Sequence, residues 1–195
     1  QRKINARRDQ QPTRRDVPRL IAAKSKTLLA GISREDRDQL FELARTGKLS
    51  TAPADRARAI KSGSVALAVT SPPFLTVVQY ATDNWLRCWF AGIRPDDVAI
   101  AMHGRIDAWT EMVRKVFVDL RRIVRPGGYI AFEVGEVKQG QVRLEEHVIP
   151  AARAAGLTPE LVMIHAQEFT KTANCWGIDN NRRGTNTNRI VLIRR

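Results

Sequence analysis

The sequence predicts an α/β fold, with helices on both faces of one sheet. Short apolar runs at 65–69, 129–135, 161–166 and 188–194 are typical of strands, and helical periodicity occupies much of the chain between them. A length of 195 residues is enough to bury one good-sized core. We therefore expect a single α/β domain, with or without a small appendage.

The helix predicted over 109–124 is the most regular in the chain. Its apolar residues recur at spacings of three and four, and charged residues occupy the other face. Pro126-Gly127-Gly128 ends this helix, because proline and glycine stop helices, and a buried strand follows. In the helix that follows the first strand, we expect Trp85 and Trp89 to pack in the core, and the alternative is that they are platforms on which bases stack. The other predicted helices span 33–47, with Ser33 as its cap, 77–90 and 144–155.

Positive charge is concentrated at the start of the chain. The whole sequence has 33 Lys and Arg against 20 Asp and Glu, a net charge of +13, and its first 26 residues alone carry +7. Few apolar residues precede Val17, so residues 1–30 are predicted to form an extended or partly ordered basic arm or linker before a domain at 31–195. An excess of this size favours a polyanionic partner, because Lys and Arg neutralise phosphates. The alternative is that the charge serves solubility.

Several classes of protein are disfavoured. Cys88 and Cys175 are the only cysteines, with no CxxC pair, and the three histidines are scattered, so neither a metal site nor a disulfide framework is indicated. No apolar run approaches the length of a membrane span, and the basic start lacks the apolar region of a signal peptide. We expect a cytoplasmic protein.

The segment Thr70-Ser71-Pro72-Pro73-Phe74 directly follows the first apolar run. We expect it beyond the carboxyl end of a buried strand, where open parallel sheets bind ligands. Proline has no N–H, so the Ser71 and Pro72 carbonyls meet no competing donor within the diproline. A stiff loop rich in acceptors can hold a planar amino group. The alternative is a tight surface turn with Phe74 in the core.

This Ser-Pro-Pro-Phe segment resembles the catalytic motif of S-adenosylmethionine-dependent DNA methyltransferases that modify exocyclic amino groups. Serine is typical of the N4-cytosine branch, and Asp or Asn of the N6-adenine branch. Residues 116–130, with Arg-Pro-Gly-Gly, and 184–192 resemble two further passages of the same catalytic half, so the resemblance spans about 60–195. It implies a Rossmann-like methyltransferase sheet, partial or permuted, with S-adenosylmethionine as cofactor and DNA as partner.

The resemblance also implies roles for individual residues. Ser71 Oγ and the Pro72 carbonyl accept the two amino hydrogens, Pro73 completes the rigid diproline, and Phe74 stacks on the base. A base within a duplex is out of reach, so the nucleotide must be flipped out.

Other candidate contacts lie further along the chain. The candidate cofactor contacts are Thr70, Glu133 and Gly135, although Glu133 is equally explained as a solvated carboxylate at a strand end. The polar segment 179–189 could contact phosphates and base edges, and its alternative is an ordinary long hairpin loop. Its candidate nucleic-acid contacts are Arg182, Arg183, Asn186 and Arg189.

The sequence departs from this family in one respect. It has no glycine-rich loop of the kind that holds the cofactor, and it begins at Gln1 rather than methionine. These two features suggest a piece of a longer polypeptide, or a half that works with a second chain. Two alternatives therefore stay open: a nucleic-acid-binding methyltransferase-like module without catalytic activity, or an RNA or protein amide methyltransferase.

Overall fold

A computed structural model describes residues 2–9, 14–73, 75, 80–137, 142–166 and 187–195 of the protein. The chain divides into two compact units, Gln1–Leu49 and Ser50–Arg195. The first unit contains helices α1 (Arg2–Arg7), α2 (Val17–Leu28) and α3 (Arg34–Thr46). The second contains β1 (Val65–Thr70), α4 (Tyr80–Phe90), α5 (Ile106–Ile123), β2 (Val124–Val137), β3 (Val142–Arg143), α6 (Glu145–Ala154), β4 (Thr158–Ala166) and β5 (Thr187–Arg194).

The basic start of the chain is helical in its described part. The Arg19 N–H donates to the Asp16 carboxylate over 3.0 Å, which caps α2. The expectation of an extended or partly ordered segment is therefore wrong for Val17–Leu28, because this cap with proline in the first turn starts a helix. The predicted cap of α3 is confirmed, since the Asp36 N–H donates to Ser33 Oγ over 3.0 Å. No residue of α2 or α3 is buried.

The sheet of the second unit is mixed, which confirms the α/β class. Its strand order is β1-β2-β5-β4, with the short β3 beside β2. β1 and β2 are parallel, whereas β5 runs antiparallel to both β2 and β4. Parallel neighbours need a crossover connection, which here contains α4 and α5. The carboxyl ends of β1 and β2 therefore lie at the same edge of the sheet.

The core lies between one face of this sheet and the helices α5 and α6. The rings of Phe117 on α5 and Phe132 on β2 are 4.8 Å apart at their centroids. The predicted apolar stripe of α5 is confirmed, and alternate residues of β2 and β5 meet it. The buried α5 residues are Trp109, Val113, Val116, Phe117, Leu120 and Ile123.

The opposite face of the sheet carries apolar side chains that stay exposed. The register aligns Val69, Ala131, Leu192 and Leu161 across β1, β2, β5 and β4. Val69 is 74% exposed and Leu161 46%. Helices were expected on both faces, and the described residues show helix packing on one. β1 is accordingly a half-exposed strand at the end of the strand order, and the expectation of a buried strand is wrong.

The expectation that Trp85 and Trp89 pack in the core is also wrong. They are 56% and 66% exposed. The helical period explains this result. Tyr80, Asn84 and Cys88 occupy one face of α4, and this face lines a groove together with residues between α4 and residue 100. The two tryptophans lie about a quarter-turn or more away from that face.

The Arg-Pro-Gly-Gly passage lies in the first residues of β2, which follows α5 directly. α5 ends at Ile123 and β2 begins at Val124, five residues before the start that the sequence predicts. Gly127 has φ +72° and its N–H donates to the Arg195 carbonyl over 2.9 Å. Gly128 lies so close to β1 that a Cβ at this position would be 2.9 Å from the Ala66 carbonyl oxygen.

We expect Gly128→Ala to lower the free energy of unfolding by about 3 kcal/mol, because overpacking against backbone costs about 1–3 kcal/mol or more. The new methyl group would press on the Ala66 carbonyl of β1 and the Val124 side chain. Urea denaturation followed by circular dichroism measures the change. Gly92→Ala is the control. Gly92 has φ +67°, and a Cβ there would meet no atom within 4 Å, so this substitution should cost only about 1 kcal/mol. Equal losses in the two variants would contradict a tight approach of β1 and β2.

An ion pair ties α5 to the segment before β1. The Arg122 Nε–H donates to Asp119 Oδ1 over 2.8 Å, and Asp119 Oδ2 accepts from the Ala57 N–H over 2.9 Å. Arg122 also donates to the carbonyls of Ala57 and Ile60. The Asp119 side chain is only 12% exposed. The hydrogen bond from Arg122, together with that from Ala57, lowers the pKa of Asp119 below its ordinary value.

We expect Asp119→Asn to lower the free energy of unfolding by about 2 kcal/mol at pH 7, since it weakens hydrogen bonds to a charged group. Because folding lowers the pKa of Asp119, its stabilisation is complete above the unfolded-state pKa and is lost as the pH falls through the folded-state pKa. The stability gap between wild type and variant should therefore narrow as the pH is lowered from 6 towards 2.

Glu111→Gln is the matched control, because Glu111 pairs with Arg114 on the exposed face of the same helix. Glu111→Gln should lower the free energy of unfolding by less than Asp119→Asn does, because solvent screens the exposed pair. A gap between wild type and Asp119→Asn that is constant across this pH range would show that the Asp119 carboxylate does not stabilise the fold by its charge.

Candidate active site

The Ser-Pro-Pro segment continues directly from the carboxyl end of β1. Ser71 is exposed, and Pro72 and Pro73 are half-buried. The parallel register pairs Thr70 with Phe132. Thr70 and Phe132 are the last aligned pair, and Ser71 and Glu133 are the residues that follow them along the chain; Glu133 is half-buried on β2. The Ser71 hydroxyl and the Glu133 carboxylate thus each come one residue after this pair, near the edge where sheets of this class bind ligands.

A hydrogen bond joins the diproline to the core. The indole Nε1–H of Trp109 donates to the Pro73 carbonyl oxygen over 2.8 Å. Trp109 is fully buried in the first turn of α5, and Leu75, two residues past Pro73, is 3% exposed in the same core. Sequence reasoning placed Trp109 in the apolar stripe of α5 and missed this bond. The available signal was that a buried indole N–H needs an acceptor.

This segment has more hydrogen-bond acceptors than donors. Pro72 and Pro73 have no N–H, and Trp109 occupies the Pro73 carbonyl. Besides the Pro73 carbonyl, which accepts from Trp109, the acceptors of the segment are the Ser71 hydroxyl and the Ser71 and Pro72 carbonyls. The segment is rich in acceptors, as its composition predicts.

The three candidate cofactor contacts meet at the same edge. Thr70 is the last residue of β1, and Glu133 is one step beyond its partner on β2. Gly135 is buried two residues further along, and its carbonyl accepts from the Leu144 N–H over 3.4 Å. All three thus lie near this edge of the sheet, and their role as cofactor contacts stays a prediction.

Arg189 does not lie on an open surface. It is 7% exposed, and its Nε is 3.0 Å from Oε1 of Glu145, which is itself 9% exposed. The register pairs Arg189 with Val134 and Ile164, on the sheet face that carries the core. Its guanidinium neutralises a buried carboxylate, so we withdraw Arg189 from the predicted nucleic-acid contacts. The other predicted site residues Phe74, Arg182, Arg183 and Asn186 lie outside the described residues.

Sequence reasoning did not anticipate a surface groove of about 290 Å³ along α4. It is lined mainly by apolar atoms, with Tyr80, Cys88 and Ile100 among its residues. Within the described ranges, no three His, Cys, Asp or Glu side chains converge as a metal site would require. No helix in the described part of the chain is both long and apolar enough to cross a membrane.

Comparison with known proteins gives similarity at the level of fold. No protein-family model matches the sequence, and no curated protein matches it. A structure from Thermus thermophilus, provisionally described as a DNA modification methylase and complexed with S-adenosylmethionine, is 21% identical, with a TM-score of 0.42 over 74% of this chain and 51% of that chain. The PvuII DNA methyltransferase, described as cytosine-N4-specific, is 10% identical, with a TM-score of 0.44 over 70% of this chain and 44% of its own.

Another similar structure is the [4+2]-cyclase SpnF, 14% identical, with a TM-score of 0.42 over 82% of this chain and 61% of that chain. This chain spans about half the length of the Thermus thermophilus and PvuII structures. Likeness at this level describes a fold, and one fold can host several chemistries. The activity of this chain must therefore be argued from its own site.

We expect Arg189→Met to lower the free energy of unfolding by about 3–5 kcal/mol, the usual cost of leaving one member of a buried ion pair unpaired. The double variant Glu145→Gln, Arg189→Met should recover most of this loss, because it removes the stranded charge as well. Urea denaturation of both variants tests the pair.

Arg194→Met is the matched control on the same strand. Arg194 pairs with Glu160 over 2.9 Å and its side chain is 51% exposed, so we expect a far smaller effect. If the double variant were as unstable as Arg189→Met, the loss would come from packing rather than from an unpaired carboxylate.

Proposed function

We propose that this chain is the catalytic half of an S-adenosylmethionine-dependent DNA methyltransferase that acts on an exocyclic amino group. One observation supports the proposal above the others: Ser71, Pro72 and Pro73 follow directly on the carboxyl end of β1, which runs parallel to β2. The exposed Ser71 and the acceptor-rich diproline form a site suited to an amino group at the edge where such sheets bind ligands.

The chemistry of an amino group explains why two acceptors are needed. The lone pair of an exocyclic nitrogen on a nucleobase is delocalised into the ring, so the nitrogen is a poor nucleophile. Acceptors that hold both hydrogens favour a pyramidal nitrogen and direct its lone pair towards the methyl donor, which is catalysis by orientation. We assign these acceptor roles to Ser71 Oγ and the Pro72 carbonyl. The serine, by its resemblance to the N4-cytosine branch, favours cytosine over adenine.

The residues at this edge fit part of the proposed cofactor. S-adenosylmethionine, when bound, supplies an electrophilic methyl group on a sulfonium centre. The Glu133 carboxylate suits a cationic or hydroxyl-bearing portion of such a molecule, and Thr70 and Gly135 lie at the same edge. The sequence has no glycine-rich loop, so we expect these residues to contribute only a share of the cofactor contacts, with the rest coming from a further segment or a second polypeptide.

The charge of the chain supports a nucleic acid as substrate. A net charge of +13 favours phosphate contacts, and these give affinity that falls with salt concentration. Flipping a base out of a duplex costs a few kcal/mol, a cost that phosphate contacts and stacking offset. Arg182, Arg183 and Asn186 remain our proposed nucleic-acid contacts, and Phe74 our proposed stacking residue.

The main alternative is a nucleic-acid-binding module with methyltransferase architecture and no activity. The missing glycine-rich loop is the specific feature that favours this alternative. An RNA or protein amide methyltransferase would use the same amino chemistry on another substrate. Binding of labelled S-adenosylmethionine separates an enzyme from an inactive module, and transfer to DNA, RNA and protein acceptors separates the three substrates.

We expect Ser71→Ala to reduce methyl transfer to DNA by about 100-fold or more, the usual scale for loss of one oriented hydrogen-bonding group at a reacting centre. DNA affinity and its dependence on salt should stay nearly unchanged, because the serine makes no phosphate contact in this proposal. Transfer of a labelled methyl group and fluorescence anisotropy measure the two quantities on the full chain, together with any partner that completes its cofactor site.

Ser64→Ala is the matched control. Ser64 lies just before the other end of β1, where its hydroxyl donates to the Lys61 carbonyl over 2.6 Å, and its loss should leave transfer intact. Full activity in Ser71→Ala would show that the serine has been misassigned. A wild-type protein that binds no cofactor in any context would instead favour the inactive module.

A further inference from the structure

The diproline segment has few torsions that can move. The rings fix φ of Pro72 and Pro73 near −65°. Ser71 and Pro72 each precede a proline, and this position restricts their ψ to extended values. The torsion that neither rule constrains is ψ of Pro73, which sets the direction of the Pro73 carbonyl.

The indole of Trp109 holds that carbonyl. The Nε1–O distance is 2.8 Å, and Trp109 is fully buried, so the donor cannot move without disturbing the core. The segment is therefore a stiff arm with two fixed ends. Its upstream end follows β1, whose last aligned pair with β2 is Thr70 and Phe132, and its downstream end is hydrogen-bonded to the first turn of α5. A stiff arm held at both ends fixes the positions of the groups between them.

The same bond affects which oxygens are available. A free Pro73 carbonyl would be a third acceptor next to the Pro72 carbonyl, and a bound amino group would have an alternative partner. Because the Trp109 N–H takes one of the two lone pairs of the Pro73 carbonyl oxygen and fixes its direction, this oxygen competes less well with Ser71 Oγ and the Pro72 carbonyl for the two amino hydrogens.

We propose that Trp109 is a positioning residue for the candidate site, which holds the Ser71 and Pro72 acceptors in the geometry that selects an amino group. This inference rests on the proposed function of the same segment. Trp109 does not itself touch the substrate in this account. It acts through Pro73, and its N–H, more than its bulk, is the part that matters.

The test measures selectivity for the amino group by binding, without methyl transfer. The probes are short DNA duplexes that carry a central cytosine or uracil opposite an abasic site, so that the base flips easily. A second pair carries adenine or hypoxanthine. Uracil and hypoxanthine have a carbonyl in place of the amino group. We expect the wild-type full chain to prefer the amino-bearing base of one pair by about 10-fold, the scale of one good hydrogen-bonded pairing.

Trp109→Phe keeps an aromatic ring but removes the N–H. We expect it to reduce the preference to below about 3-fold, while affinity for an undamaged duplex and its salt dependence stay unchanged. Val113→Ala is the matched control, since Val113 is fully buried one turn further along α5, and it should lose stability but keep the preference. If Trp109→Phe fails to fold, the sulfur isostere of tryptophan at position 109 fills the same volume without an N–H and replaces it in the test.

The outcomes separate the two proposals. A Trp109→Phe protein, or its isostere, that keeps the full preference overturns the positioning role and leaves the proposed function standing. A Val113→Ala protein that loses the preference equally shows that general loosening of the core is responsible, and this result also overturns the role. If the wild type distinguishes neither pair of bases, capture of an amino group by this segment is wrong, and the proposed function fails with it.

Discussion

The parallel pairing of β1 with β2 is the constraint on which the rest of the structure depends. Two parallel strands cannot be joined by a tight turn, so the chain must cross over between them, and here it does so through α4 and α5. The crossover places the start of α5 beneath the end of β1. The Trp109 indole can reach the Pro73 carbonyl only because of this geometry. Gly128 allows the close approach of the strands, because a side chain there would meet the Ala66 carbonyl.

Burial decides what each charged group can do in this protein. The sequence contains many arginines, and their number alone favours a nucleic-acid partner. The structure divides them by environment. Arg189 neutralises Glu145 inside the second unit, and Arg122 pairs with Asp119 of the same helix and fastens the segment before β1 to α5. These two cations stabilise the fold, so only arginines and lysines on the open surface can provide contacts to phosphate.

Local sequence signals predicted elements well where one signal dominated. The α5 stripe, the Ser33 cap and the four main strands follow from periodicity, capping chemistry and β-branched runs that act over a few residues. Elements were missed where the deciding partner was distant or the signal was short. The two-residue strand β3 exists only because β2 lies beside it. Trp85 and Trp89 were assigned to the core on their apolar character, but the choice of which helix face meets protein depends on tertiary contacts.

By itself, the sequence determined the α/β class, the positions of α5 and the main strands, and the stiff, acceptor-rich Ser-Pro-Pro segment after β1. These properties depend on backbone chemistry and on periodicities that are local in the chain. Only the tertiary structure decided that Thr70 aligns with Phe132, that Trp109 holds Pro73, and that Arg189 is buried against Glu145. Each of these pairings joins residues that are tens of positions apart, and no local pattern specifies which distant group will be the partner.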